Sequence, residues 1–592
     1  MADAVHTIDN LLLQVQKPAR YRGNEWNSWH KDHAAADVKM VMAFPDLYEV
    51  GMSNHGLKIL YESVNSNPGL LMERVFAPAI DMEALLREHG LPLFSLESGT
   101  PLHKFDLIGF SLQYELSFSN VVNMLDLSGV SLYSEKRNEP DPLVVGGGPC
   151  AFNPEPLAPF FDFFILGESE ECLPDLLKLY KDLKQKKLSR KQILLNLSEL
   201  QGVYVPSFYQ PVYNQGKLIN LKKIESKAPD SVKKCLVNEL DNSLYPVAPV
   251  VPYVQTIHDR AVIELFRGCK RGCRFCQAAY IFRPVRFRSR EKIIEAAQKQ
   301  ISLTGYEELS LSSLSSTDYP DLESLIDELD RVFSGEQVKC NLPSLRLDSY
   351  SVKLAERLHR GKRSNLTFAP EAATERLRQV IKKDITENDI FSALDDALRA
   401  GWQGFKLYFM IGLPTERIED VEAIVDLCCR IRTFCRNQSK TKIALSVSVS
   451  TFVPKAHTPF QWEPQLSLDE ITLRQEIIQQ GLKKIAGINL SWHDGETSFL
   501  EAVFARGDRR LAPVLEKAFK LGCRFDGWSE YFSMSLWHKA FEETSIKGED
   551  YAQRYFNYED LLPWDHLNCG INRDVLVKEH RKALEQESSY KE

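Results

Sequence analysis

Cys269, Cys273 and Cys276 stand in a C-x3-C-x2-C spacing within AVIELFRGCKRGCRFCQAAYIF, residues 261–282. They follow an apolar run, Val262 to Phe266, that reads as a buried strand. Three thiolates on one short loop can each hold one iron of a cubic four-iron cluster, because such clusters are ligated by cysteine thiolates. With only three supplied, the fourth iron would stay open to an outside ligand. Twelve cysteines in 592 residues make this spacing rare by accident, with about 0.005 chance matches expected. The rival readings are a structural zinc site, which normally wants four closing ligands, and three unrelated thiols. The nearest further cysteines are Cys235 and Cys340.

The elements that must carry this loop follow it in the chain. Glu308–Leu311 leads into SSLSSTDYP, Gln337–Asn341 into LPSLRLDSY, and Asn365–Phe368 into APEAATERL. Gly404–Met410 then leads into IGLPTE, and Ile443–Thr451 into FVPKAHTPF. Six strands, most followed by a helix, predict a parallel α/β barrel or partial barrel over residues 253–495. Active groups in such folds gather on loops at the C-terminal ends of the strands. Lys406 and Tyr408 alternate with apolar neighbours, so one face of their strand points inward. A lysine facing a barrel interior needs a partner or a ligand carboxylate, which makes both residues catalytic candidates. His457, on a loop at the expected mouth, is a third, against the ordinary reading of a hydrogen-bonding surface histidine. Glu371 is read either as a polar group at the site or as a carboxylate complementing the dipole of a helix over 372–382. Cys428, Cys429 and Cys435 read as structural thiols.

Upstream, residues 1–20 form an N-terminal extension and residues 21–185 a first domain. Val38–Phe44, Phe105–Leu112, Pro142–Gly148 and Phe161–Gly167 are strand-like runs separated by helical patterns. This alternation predicts a parallel, flavodoxin-like doubly wound sheet, with ligands outside the carboxyl ends of its strands. Those ends carry Asp46 to Gly51, Ser111 and Gly146 to Gly148. Residues 186–252 read as a connector with a hairpin turning at Asn214-Gln215-Gly216. Residues 496–592 turn helical, as a cap closing the open side of the barrel, with Arg506, Asp508, Arg509 and Arg510 clustered. That cluster reads either as a grip on an anionic substrate or as ordinary ion pairs.

At FRGCKRGCRFCQA the chain resembles the radical S-adenosylmethionine (SAM) superfamily. The resemblance implies that Cys269, Cys273 and Cys276 hold a 4Fe-4S cluster whose open iron binds SAM, and that reductive cleavage yields a 5′-deoxyadenosyl radical. It implies an electron donor of flavodoxin or ferredoxin type. Phe275 matches the aromatic beside the adenine, and Ser313, Ser315 and Ser316 match a backbone turn facing the SAM amino group. Glu371 matches a polar group near the ribose or methionine, Gly412 and Pro414 in MIGLPTE the motif along the adenine, and Val453 the sixth-strand edge. The first domain resembles the cobalamin-binding domains of the same superfamily, which implies Asp46, Gly51, Ser111, Gly146 and Gly147 as corrin contacts. The usual D-x-H is replaced by Asp46-Leu47-Tyr48, so no histidine would lie under cobalt, and His55 falls on the helix start instead. The domain either binds cobalamin or keeps the fold without it. PDLYEVGMSNHGL, FAPEA, YFMIGLPTE, FVPKAHTPFQW, GDRR and LPWDH extend the match to a largely uncharacterised, fused subfamily across nearly the whole chain.

These features predict an enzyme that cleaves SAM, with cobalamin-dependent methyl transfer to an unactivated carbon as its reaction. The alternatives are methylthiotransferase-like RNA modification and a non-catalytic iron–sulfur scaffold. The net charge of −8 gives no global case for nucleic acid. Apolar content of 44 % and charged content of 26 % are ordinary for a soluble protein. No apolar stretch approaches the ~18 residues of a membrane span, the N-terminus lacks a signal-peptide pattern, and the cysteine usage fits a reducing cytoplasm. The substrate is not legible.

Overall fold

The run VKMVMAF forms the first strand of the first domain, β1 (Val38–Phe44), in the computed structural model, which describes residues 8–336, 338–343, 365–439 and 443–588. Alongside it run β2 (Leu70–Phe76), β3 (Leu107–Ser111), β4 (Leu143–Gly147) and β5 (Phe163–Ile165), all parallel. A short antiparallel β6 (Val203–Tyr204) closes the edge, beyond the expected boundary at 185. The order is β2-β1-β3-β4-β5-β6, so the winding reverses between β1 and β3, the place where doubly wound sheets open a crevice. Helices α1 (His55–Asn65) and α2 (Ser169–Gln185) pack against one another beside it. β2 is the strand the sequence hid, because Glu73 and Arg74 interrupt its apolar run. Both are buried and matched: Arg74 pairs with Glu97 at 2.6 Å and Glu25 at 2.8 Å, and Glu73 accepts from Ser95 at 2.5 Å. Charges enter a strand buried on both faces only when paired in this way.

The connector hairpin forms as expected about Gln215-Gly216, from Tyr209–Asn214 and Lys217–Lys223. Among the described residues the barrel comprises two parallel sheets. One holds β7 (Ala261–Glu264), β8 (Glu308–Ser312) and β9 (Lys339–Asn341). The other holds β10 (Leu366–Glu371), β11 (Gly404–Ile411), β12 (Ala444–Thr451) and an unexpected β13 (Ile488–Trp492), all parallel. Most of LPSLRLDSY, residues 342–350, lies outside the described residues. Between strands and outer helices sits one core of Ile263, Leu311, Phe405, Leu407, Val447 and their neighbours.

The C-terminal helices pack largely on the first domain. Gly495–Ala505, Ala512–Leu521 and Met534–Glu543 join the core of the first domain, with Phe504 against the Phe118 ring at 5.6 Å between centroids. Ala512–Leu521 packs on helix Phe118–Leu127. The last helix, Arg573–Ser588, packs on Glu375–Val380 of the barrel, and Gly495–Ala505 also meets it, Glu501 pairing with Lys455 at 2.8 Å. The arginine cluster serves the fold. Arg506 is fully buried and donates to the carbonyls of Tyr551 and Ala552, each at 2.7 Å. Arg509 pairs with Glu155 at 2.7 Å, and Arg510 with Asp508 at 2.6 Å. Among the described residues no helix is long and apolar enough to cross a membrane.

Candidate active site

The cysteine loop leaves the C-terminal end of β7, as barrel chemistry requires. Gly268 has φ +91°, and an added Cβ would stand 2.7 Å from the carbonyl oxygen of Phe282, so only glycine turns the chain here. Gly272 has φ +73°, and its carbonyl accepts from the Tyr280 hydroxyl at 3.0 Å. The Cys276 amide donates to the Cys273 carbonyl at 3.1 Å, winding the last two cysteines into one turn. Burial, then the neighbouring Cys273 and Cys269 thiols, push the Cys276 thiol up to about 11. Among the described residues no three His, Cys, Asp or Glu side chains close on a single ion. A cubane asks something else, namely one thiolate at each of three corners. Cys235, a candidate fourth zinc ligand, instead donates to the Gln201 carbonyl at 2.9 Å. The donor set therefore fits a four-iron cluster rather than a mononuclear zinc.

The loop is held from both sides. Arg271 donates to Asp318 at 2.9 Å from the loop after β8. Arg274, buried between two of the cysteines, donates to the Val380 carbonyl and to Gln586, each at 2.7 Å, and so ties the last helix to the loop. Phe275 and Met410 pack against Ala372, Leu413, Phe452 and Phe460, which brings the fourth-, fifth- and sixth-strand ends beside the cysteines. Gly412 has φ +76° and its amide donates to Glu416 at 2.9 Å. Burial raises the Glu416 carboxyl to about 7, although Arg474 donates to it at 2.8 Å. Ser315 and Ser316 are buried, and Ser316 donates to the Pro343 carbonyl at 2.6 Å. Glu371 sits at φ +67° where β10 shifts register, and pairs with Lys383 at 3.4 Å. The following helix begins only after Thr374 and spans six residues, so the dipole reading of Glu371 fails.

His457 is not at the mouth. It is buried, its Nε2 donates to the Phe152 carbonyl at 3.0 Å, and burial lowers its pKa to about 4. Through this bond it stitches the barrel to the first domain. Lys406 and Tyr408 do face the barrel interior, with the ammonium 4.7 Å from the ring centre.

The carboxyl edge of the first sheet opens toward the barrel. A cavity of about 340 Å³ lies between Met42, Gly109, Ser111, Gly147, His55 and Leu173 on one side and Glu264, Arg267, Phe282 and Ser312 on the other. Gly147 presents bare backbone to it, since an added Cβ would meet nothing nearer than 3.7 Å. His55 Nε2 is buried without a hydrogen-bond partner, and burial lowers the imidazole to about 4. An orphaned buried nitrogen, a bare glycine and an apolar slot fit a large ligand with an aromatic part. Ser111, Gly146 and Gly147 line this space as expected, whereas Asp46 and Gly51 do not. Asp46 accepts from the Trp528 indole at 2.9 Å, Tyr48 donates to Glu25 at 2.9 Å, and a Cβ on Gly51 would strike Phe76 at 2.2 Å. That loop is sealed beneath the N-terminal segment and the C-terminal helices. His55 and Gly56, at the start of α1, line the cavity instead.

A doubly wound sheet facing a partial parallel barrel with a three-cysteine loop defines a class of SAM-dependent iron–sulfur proteins. Residues 56–206 match the family described as radical SAM proteins, N-terminal, and residues 263–428 match the radical SAM superfamily. The chain is 31 % identical over 434 residues to the uncharacterized protein MJ0966 of Methanocaldococcus jannaschii, covering 73 % of this chain and 84 % of the relative. It is 25 % identical over 308 residues to the uncharacterized methyltransferase PH0819 of Pyrococcus horikoshii, covering 51 % of this chain and 61 % of that protein. Among solved structures it is similar to the cobalamin-dependent radical SAM enzyme OxsB with aqua-cobalamin and SAM bound, at 12 % identity and a TM-score of 0.47, over 99 % of this chain and 84 % of that one. The chain belongs to the radical SAM superfamily, in a fused subfamily that joins the N-terminal domain to the barrel.

Proposed function

We propose that this radical SAM enzyme binds a corrin in the cavity between its two sheets and transfers a methyl group to an unactivated carbon of its substrate. The observation that carries the reading is the facing of the two carboxyl edges, with Ser111 and Gly147 on one side of the cavity and Glu264, Arg267 and Ser312 on the other. Cys269, Cys273 and Cys276 would each hold one iron, leaving the fourth for SAM. Phe275, Gly412, Pro414 and Val453 would line the adenine side, while backbone at Ser313, Ser315 and Ser316 and the Glu371 carboxylate would meet the amino acid and ribose. When bound, the cluster supplies the electron that splits SAM and the corrin supplies a cobalt that carries the methyl group. The electron comes from an outside donor of flavodoxin or ferredoxin type.

Ser111, Gly147 and His55 would hold the corrin's nucleotide tail in this cavity. There Glu264 and Arg267 join at 3.0 Å, and Arg267 reaches Glu170 of the first domain at 2.6 Å. This pairing fixes the distance between the two edges. The first domain's cysteines, Cys150 and Cys172, lie on separate elements, which favours this reading over a methylthiotransferase with a second cluster there. The test is gel filtration of the anaerobically reconstituted full chain after incubation with hydroxocobalamin. Corrin absorbance comigrating at about one equivalent is expected, and its absence would remove the methyl-carrier reading.

A further inference from the structure

The barrel strands have two unlike faces. On β11, Phe405, Leu407, Phe409 and Ile411 are fully buried beneath the outer helices, so the pleat turns Lys406, Tyr408 and Met410 to the concave side. On β12 the same alternation buries Leu445, Val447 and Val449 outside and turns Ser446, Ser448 and Ser450 inside. The register aligns Thr367, Lys406, Ser446 and Asn489 in one row across the sheet. One step nearer the mouth, Tyr408, Ser448 and Ser491 form the next. A closed parallel barrel fills its interior with branched apolar side chains. This one offers hydroxyls, an amide and a phenol, which suit a polar ligand rather than a dry core.

Among the described residues the carboxylates on this face have partners of their own: Glu308, in register with Lys339, accepts from Asn341 at 3.2 Å. Lys406 is half-buried and leans on the Tyr408 ring, and among the described residues it pairs with no carboxylate. The acids nearest the mouth are already spent, Glu371 on Lys383 and Glu264 on Arg267. A half-withdrawn ammonium compensated by an aromatic face alone lacks an anion.

We infer that the concave face binds a small, hydroxyl-rich substrate carrying an oxyanion, carboxylate or phosphate, and that Lys406 holds that oxyanion. The inference deepens the proposed function and rests on the barrel mouth being the reaction site. With its anionic end in the Lys406 row, the substrate extends past Tyr408 and Ser448 toward Met410 and Phe275, so its far end is the part presented to the chemistry.

Equilibrium dialysis of the iron-loaded full chain tests this, with inorganic phosphate and acetate as separate probes, choline as a cationic control, and saturating SAM present or absent. Wild-type protein should bind an anion, Lys406→Arg should retain it, and Lys406→Met should weaken it about tenfold or more, the worth of a charge-assisted hydrogen bond. The preferred anion identifies phosphate or carboxylate as the source. Binding that is absent, equal in wild type and Lys406→Met, displaced by SAM, or matched by choline overturns the inference. Displacement by SAM would assign Lys406 to the SAM carboxylate. Should Lys406→Met fail to load iron, Lys406→Gln takes its place. Failure of the proposed function reads out separately, as missing cobalamin on gel filtration.

Discussion

The two sheets of this protein share parallel strands and yet do opposite things with their faces. In the first domain every residue of β2 is buried, and β1 is buried but for Lys39. Both faces carry core, and only the carboxyl edge is left for a ligand. In the barrel one face carries core, and the concave one is lined by lysine, tyrosine and serines. A sheet wrapped on both sides can act only at its rim, whereas a half-barrel can act along its depth. The rim suits a large cofactor lying across it, and the depth suits a small substrate reaching up to meet it.

The largest expected effect concerns the loop that both sheets share. Replacing Cys273 by alanine should abolish the four-iron cluster, since two thiolates cannot hold the cube. Iron content and the absorbance near 400 nm after reconstitution report it, and a fully loaded variant would end the cluster assignment.

The faces themselves can be compared by truncation. Phe164→Ala, in the doubly buried β5, should cost about 3–5 kcal/mol. Ser448→Ala, on the concave barrel face, should change stability by less than about 0.5 kcal/mol. Urea unfolding decides between them, and equal costs would mean the barrel interior is packed core after all.

Much of this contrast was legible in the sequence. The cysteine spacing, the alternation at Lys406 and Tyr408 and the Gly-rich end of β4 all pointed where the structure puts them. What was hidden depended on distant partners. β2 was masked because Glu73 and Arg74 are neutralised by residues far along the chain. β13 was missed because it is an edge strand whose residues remain largely exposed. The loop from Asp46 to Gly51 has the spacing of a ligand loop, but Glu25 and Trp528 cover it, and neither can be foreseen from local pattern.

That loop provides a sharper test of where the rim begins. Gly51→Ala should destabilise by about 1–3 kcal/mol through overpacking against Phe76 and leave cobalamin retention intact. Gly147→Ala meets no close atom, so it should spare stability within about 0.5 kcal/mol and weaken retention instead. Thermal unfolding and gel filtration with hydroxocobalamin separate the two, and the reverse outcome would return the site to the Asp46 loop.

The smallest expected effect tests the seam between the sheets. His457 is held neutral, with its pKa lowered to about 4 by burial from an ordinary 6.5. A depressed pKa means the unfolded chain binds the extra proton first, so stability is fully present above about pH 6.5 and is lost as pH falls toward 4. Between pH 7 and pH 5.5 one such histidine should remove about 1 kcal/mol. His457→Asn keeps an N–H that can donate to the Phe152 carbonyl and removes the titration. Urea midpoints of the variant should therefore fall less steeply over that window, by about one proton's worth. His55 and His566 are lowered in the same way and will keep titrating, so the slope should shrink without vanishing. An unchanged slope would mean that His457 reaches water in solution, and that the barrel and the first domain part at this seam more readily than the closed contact implies.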